Sequence, residues 1–316
     1  MPVIRPPAFW PTLVSTAGLL RHARPGLTDP AALPRIERSI PATSLDPAWL
    51  RAYGDSIGLA SGSRDTLAPL TLQIAAAPLH LAILADAGFP FRALGLVHMS
   101  QAVNQTRAIA ATASFDLLAY SADARWEKRG MSFGLVTEAW CEGECVWRGE
   151  TRALAPGKSL VPAPAPAAGA TDDRDAARPA CDEVLHVPEA TGRRYAAIAG
   201  DLNPIHQHAL LARLFGFRRA IVHGTWTLAR ALALAELPRS PAFTLEAHFR
   251  RPVELPSDIR VRAWSGAGAE TGNPSGRPHR LMVSEPHTGK TCIEPGCDKP
   301  AGTAWSPYWC FEHNVN

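Results

Sequence analysis

The sequence predicts an α+β fold in which a helix is laid against a sheet, twice along one chain. Each half holds one strongly apolar helix candidate, residues 70–88 and 225–236, and each candidate is followed by strand-like runs. A proline- and alanine-rich stretch without periodicity, residues 155–180, lies between the halves and reads as a linker. At 316 residues the chain is long enough for two modest domains.

Composition narrows the function classes. A hydrophobic content of 46% with 19% charged residues describes a globular rather than a disordered protein. A formal charge of +3 is too small to argue for nucleic acid and is compatible with anionic ligands. No apolar run reaches membrane-spanning length. Prolines 6, 7 and 11 interrupt the N-terminal apolar residues, so no signal peptide is expected and a cytoplasmic location is. The six cysteines are then read as reduced or metal-bound.

Taken in order, residues 46–59 form the first helix candidate, with Asp46 as cap and Pro47 in the first turn. Its Tyr53-Gly54-Asp55 echoes Tyr195 and Gly200-Asp201 further on. The echo reads as coincidence, because no Asn-Pro-x-His follows it. Residues 70–88 form the second candidate, with Pro78 as a kink and Gly88 as a stop. Strands are expected at 91–100, 114–120, 131–140 and 145–154. After the linker, a segment at 182–187 leads to residues 195–230. Beyond the helix at 225–236, Phe243, Leu245, Ala247 and Phe249 alternate with polar residues, which marks a half-buried strand. Further strands are expected at 259–263 and 280–284.

The stretch 195–230 concentrates the chemistry. Asp201 and His206 are candidate proton-transfer groups, since histidine titrates near neutrality and burial can tune a carboxylate towards it. Between them Asn203-Pro204 imposes a turn, and Asn203 is a candidate for orienting the aspartate or a water. His223-Gly224 precedes a helix that is apolar on nearly every face, hence buried. A Gly224 N–H at that helix start is suited to a carbonyl oxygen gaining negative charge, and the missing side chain would let a ligand approach closely.

Tyr195, Gly200-Asp201, Asn203-Pro204-Ile205-His206, Gly216-Phe217 and Ile221-Val222-His223-Gly224 together resemble the signature of MaoC-like dehydratases, the (R)-specific enoyl-thioester hydratases. The segment from Phe89-Pro90 to Gly95-Leu96-Val97-His98 resembles, more loosely, the N-terminal half of double hot-dog members of that family. The resemblance implies a double hot-dog. It implies that Asp201 and His206 handle water, that the Gly224 N–H binds the thioester oxygen, and that catalysis needs no cofactor. It also implies coenzyme A or acyl-carrier-protein thioesters as substrates, with homodimerisation left open. His208 stands where the family often has an acid, and Thr225 where methionine is common. His223, Thr225, Arg218 and Arg219 are the candidate substrate contacts, the arginines through phosphate. Leu79 and Ile83 are candidates for an acyl tunnel shaped by the first half. A thioesterase, a non-catalytic thioester binder and a zinc-linked interaction protein are the alternatives.

The tail differs from the rest. Cys292, Cys297, Cys310 and His313 are four good zinc ligands, paired at close spacing, and a structural zinc is expected there. The expected organisation is a degenerate half at 1–154, the linker at 155–180, a catalytic half at 181–286 and the tail at 287–316.

Overall fold

The computed structural model of the chain describes residues 3–4, 24–157, 178–236, 241–266, 279–284 and 286, together with the backbone of 311–315. The first half contains β2 (Glu37–Leu45), α1 (Pro47–Ile57), α2 (Thr71–Ala75), α3 (Ala77–Ala85), β3 (Val97–Gln105), β4 (Phe115–Glu127), β5 (Gly130–Cys141) and β6 (Glu144–Pro156). A two-residue β1 (Val3–Ile4) runs parallel to β2. The second half contains β7 (Cys181–Val187), α4 (Thr191–Ala199), α5 (Ala209–Arg213), α6 (Gly224–Ala235), β8 (Phe243–His248), β9 (Ser257–Trp264), β10 (His279–Ser284) and β11 (Phe311–Val315).

Local chemistry accounts for these bounds. The Asp46 carboxylate accepts from the Ala48 N–H at 2.7 Å, and Pro47 occupies the first turn of α1. The helix expected at 70–88 is two helices, α2 and α3. Pro78 lies in the first turn of α3, where its missing N–H leaves no hydrogen bond unmade. The strand expected from residue 91 begins instead at Val97, because Phe89 and Phe91 turn inward onto Phe133, with ring centroids 5.2 and 5.3 Å away. Glu142 and Gly143, both at positive φ, close the β5–β6 hairpin.

Each half repeats one topology. In the first, the strands lie in the order β2-β4-β5-β6-β3; in the second, β7-β9-β10-β11-β8. Both orders are first, third, fourth, fifth, second, and this is the double hot-dog expected from the sequence. The halves join edge to edge where β3 pairs antiparallel with β8, from Ser100↔His248 to Gln105↔Phe243. All strands therefore form a single sheet. The apolar faces of α2, α3 and α6 pack into one core with Leu117, Phe133, Trp147, Leu245 and Val261.

The same number of residues separates Tyr53 from Tyr195, Gly58 from Gly200, and Val103 from its seam partner Leu245. The halves are thus related by a local twofold axis through the seam. The Tyr53 echo is consequently no coincidence, although its true partner motif is Gly58-Leu59 rather than Gly54-Asp55. Tyr53 and Tyr195 meet near the axis, with ring centroids 6.5 Å apart.

Part of the presumed tail belongs to this sheet. The β11 backbone lies between β8 and β10, with His313 opposite Leu281 and Ala247. A boundary after residue 286 therefore cuts the fifth strand from the second half. Cys292, Cys297 and Cys310 lie outside the described residues. Among the described residues no helix is long and apolar enough to cross a membrane.

Gly58 and Gly200 end α1 and α4 in the left-handed conformation, at φ 67° and 75°. A Cβ on Gly58 would also collide with the Arg230 guanidinium. Gly58→Ala is expected to lower unfolding stability by about 1–2 kcal/mol, measured by urea denaturation. Gly200→Ala, strained by its backbone conformation alone, should cost no more than Gly58→Ala and, in addition, lower activity, since it displaces Asp201.

Candidate active site

Backbone turns place the acid and the bases. The chain leaves α4 through Gly200, whose N–H bonds to the Ala196 carbonyl at 2.8 Å. Asp201 Oδ1 accepts from the Asn203 N–H at 3.1 Å, and Asn203 Oδ1 accepts from the Ile205 N–H at 3.4 Å. Pro204 opens the single helical turn that ends at His206. Asn203 is thus the residue that shapes the turn.

Three side chains converge. The His206 Nε2 and His223 Nε2 atoms lie 3.8 and 3.7 Å from Asp201 Oδ2. The two imidazoles stack, with centroids 3.7 Å apart and planes 26° from parallel. Carbonyl partners fix the tautomers, since a carbonyl only accepts. His206 Nδ1–H donates to the Ile221 carbonyl at 2.8 Å, which leaves Nε2 a lone pair facing Asp201. His223 Nε2–H donates to the Asp201 carbonyl at 3.1 Å, and its buried Nδ1 has no hydrogen-bond partner among the described residues. The sequence reading took His223 for a substrate contact; the structure sets it against the aspartate.

The ligand atoms of Asp201, His206 and His223 lie within 4.8 Å of one another. Stacked rings hold their lone pairs side by side rather than convergent, and His223 Nε2 already carries a proton. The arrangement suits proton handling better than metal ligation.

Electrostatics assign the charge states. The Asp201 side chain is 50% exposed, at the open end of the group, while His223 is 3% exposed. Desolvation pushes the Asp201 pKa up, but His223, His206 and the Asn203 N–H outweigh it and hold the carboxyl below its ordinary range. Burial lowers His223 to about 3, so it is neutral at physiological pH.

Gly224 begins α6, and His223 offers that helix no side-chain cap. The first-turn N–H groups are intrinsically unpaired. Space at the Gly224 Cα, however, is taken by the Phe249 ring, 3.1 Å from where a Cβ would stand. The glycine admits Phe249 there, not a ligand as expected from the sequence. Its N–H is the group left for an oxyanion.

The remaining candidates scatter. Thr225 Oγ1 accepts from the Tyr195 hydroxyl at 3.4 Å. Arg218 and Arg219 are exposed, and Arg219 Nη1 reaches the Pro256 carbonyl at 3.5 Å. His208 caps α5 through Nδ1, which accepts from the Leu210 N–H. Leu79 and Ile83 are packed in the common core.

His98, from the first half, escaped the sequence reading of the site. It precedes a bulge in β3, and its ring lies 4.3 Å from Phe249. Its Nε2–H donates to the Ser100 carbonyl at 3.0 Å. Burial lowers its pKa to about 4, the Ser100 carbonyl and the Asp201 charge opposing the shift. The Val97-His98 segment carried a resemblance but no role, because nothing local shows which strand edge it will join.

Comparisons with known proteins show what the chain is similar to. A family model described as MaoC like domain matches residues 168–276. The chain is 31% identical over 240 residues to the 3-hydroxyacyl-thioester dehydratase X of Mycobacterium tuberculosis, covering 75% of this chain and 82% of that protein. The crystal structure of HtdX from the same organism superposes with a TM-score of 0.68 at 26% identity, covering 88% of this chain and 98% of that one. A MaoC-like dehydratase from Phytophthora capsici gives 0.62 over 90% and 96% of the two chains; at 13% identity that likeness concerns the fold alone.

Three histidines desolvated by folding, the buried His80 and His223 and the half-buried His98, bear on stability in acid. His80 and His98 titrate near 4 and His223 near 3, chiefly through desolvation, against 6.5 in the unfolded chain. Each folded value is depressed for a cation-forming group, so below 6.5 the unfolded chain binds more protons. Stability is expected to be intact above pH ~6.5 and to fall progressively towards pH ~4. Thermal melts across that range check this, and His80→Leu should flatten the slope.

Proposed function

The chain belongs to the MaoC-like dehydratase family of hydro-lyases, and from that premise we propose that it interconverts (3R)-3-hydroxyacyl and trans-2-enoyl thioesters in fatty-acid metabolism, on coenzyme A or an acyl-carrier protein. The observation that carries the reading is the pairing of an ionised Asp201 with a His206 whose Nε2 lone pair faces it at 3.8 Å.

That gap is too long for a direct hydrogen bond and suits one water that donates to both groups. A water so held keeps an oxygen lone pair free to attack C3 of a conjugated enoyl thioester. As the O–C3 bond forms, the C2=C3 electrons move onto the thioester oxygen, and one of the two acceptors takes the water proton. The enolate then collapses, and the protonated group delivers that proton to C2. Water is added without loss or gain of electrons, and the reverse sequence is dehydration. The developing oxyanion needs a donor, which the Gly224 N–H at the positive end of α6 supplies. His223, neutral and donating to the Asp201 carbonyl, steadies the turn. Arg218 and Arg219 suit the phosphates of a coenzyme A or carrier arm.

Asp201→Asn and His206→Gln are each expected to lower hydration of an enoyl-CoA by at least ~10²-fold, as loss of a positioned acid or base does. A spectrophotometric assay at the enoyl absorbance checks this. Rates near wild type in either folded variant would remove that residue from the chemistry.

A separate proposal concerns Cys292, Cys297, Cys310 and His313. Three thiols and an imidazole at this spacing suit a structural zinc rather than a catalytic one, which would need an open position. Metal analysis of the purified chain should find about one zinc, and Cys292→Ser/Cys297→Ser should lose it.

A further inference from the structure

Between His206 and Ile221 the chain makes an excursion that the first half lacks. There α1 passes to α2 through residues 58–70, whereas α4 passes to α6 through residues 200–223. The added length holds α5 and the turn after it, Leu214 to Arg219. Both ends of the excursion are pinned at the catalytic group. The Ile221 N–H donates to the Ile205 carbonyl at 3.0 Å, and His206 Nδ1–H donates to the Ile221 carbonyl at 2.8 Å. Within it the Phe217 N–H donates to the Ala212 carbonyl at 3.2 Å, so the loop folds back on α5. A molecule covering this excursion therefore stands next to the catalytic group.

The surface it offers is apolar and basic. Leu210 and Leu214, one helical turn apart, are 62% and 79% exposed, and Leu211 and Phe215 are exposed beside them. The other exposed large apolar residues outside this stretch, Val3, Trp140 and Val184, are scattered along the described chain. Clustered exposed hydrocarbon of this kind marks a surface that another molecule covers. Arg193, Arg194, Arg213, Arg218 and Arg219 are exposed on the same stretch, and Asp201 is the one acid between residues 190 and 235. Elsewhere arginines meet carboxylates: Arg38 with Asp86, Arg152 with Asp123 and Glu150, Arg260 with Asp182. Arg193, Arg213 and Arg219 bond instead to the carbonyls of Gln207, Arg218 and Pro256. Among the described residues their charges are left without a carboxylate.

The occupant must match hydrocarbon and negative charge together. Coenzyme A brings phosphates but no apolar surface to lay over α5. A second copy paired face to face would set arginine against arginine. An acidic protein with apolar contacts of its own satisfies both demands. We propose that α5 and the turn after it form the docking surface of an acidic acyl-carrier protein, which presents its thioester to Asp201 and His206 in preference to coenzyme A. The inference rests on the acyl-thioester reading given above and names the carrier which that reading left open.

The test compares kcat/KM for the crotonyl thioester of the same organism's acyl-carrier protein with that for crotonyl-CoA. Leu214→Asp and Arg213→Glu, both at exposed positions, should each lower the carrier value at least about tenfold through KM, as loss of an interface anchor does, and leave crotonyl-CoA within about twofold. Arg213→Lys, which keeps the charge, should restore most of the carrier value. A carrier value unchanged in both variants, or lowered equally with coenzyme A, overturns the proposal. So does a wild-type dimer that Leu214→Asp dissociates in sedimentation, since the face then belongs to a second copy. Binding to phosphatidylglycerol vesicles that Leu214→Asp abolishes, with the carrier unaffected, overturns it in favour of a membrane. Calorimetric binding of the unacylated holo-carrier gives a readout independent of turnover. Should the wild type hydrate neither thioester yet bind the carrier, and Leu214→Asp lose that binding, the hydratase reading falls and the docking surface stands. If the wild type hydrates crotonyl-CoA but does not bind the carrier, the docking surface falls and the hydratase reading stands.

Discussion

The antiparallel pairing of β3 with β8 is the constraint on which the rest of the molecule depends. Neither half could leave that edge bare without exposing a row of unpaired N–H and C=O groups. Joining them satisfies both edges at once and fixes the local twofold axis. From the axis follow the meeting of Tyr53 with Tyr195 and the approach of α1 to α6. The seam also brings His98, from β3, against Phe249, which in turn fills the space at Gly224. The first half thus lines the candidate site, although among its described residues no Asp–His pair like Asp201 and His206 occurs.

The site works through a contrast of charge states inside one cluster. Asp201 remains ionised because an N–H and two imidazoles oppose its desolvation. His223 remains neutral because burial dominates and its only donated bond goes to a carbonyl. A neutral imidazole beside a carboxylate is a weak counterion but a good positioning donor. The carboxylate therefore stays charged at physiological pH without a full ion pair to that imidazole.

Much of this was legible in the sequence because it is local. Asp46 capping α1, the Asn203-Pro204 turn, the all-round apolar character of α6 and the alternation through β8 each rest on residues a few positions apart. What failed was long-range. Inward packing of Phe89 and Phe91 shortened β3 from its N-terminal side, and no window of sequence shows which ring finds Phe133. His223 was read as a substrate contact rather than a partner of Asp201 because a full loop separates the two in sequence. The spacing between Tyr53 and Tyr195 was visible, but the match to Gly58-Leu59 was hidden by the change of aspartate to leucine. The pairing of β11 between β8 and β10 was hidden by a stretch whose composition suggests metal binding rather than a strand.

The equal spacing of the Tyr and Gly markers in the two halves also has a genetic consequence. A symmetric dimer of separate chains carries every substitution twice, once at each site. A change such as aspartate to leucine would then abolish both copies together. Linking the halves in one polypeptide breaks that tie. Residue 59 is free to drift while residue 201 is held, so a duplicated gene segment can give up one reaction centre and keep the other.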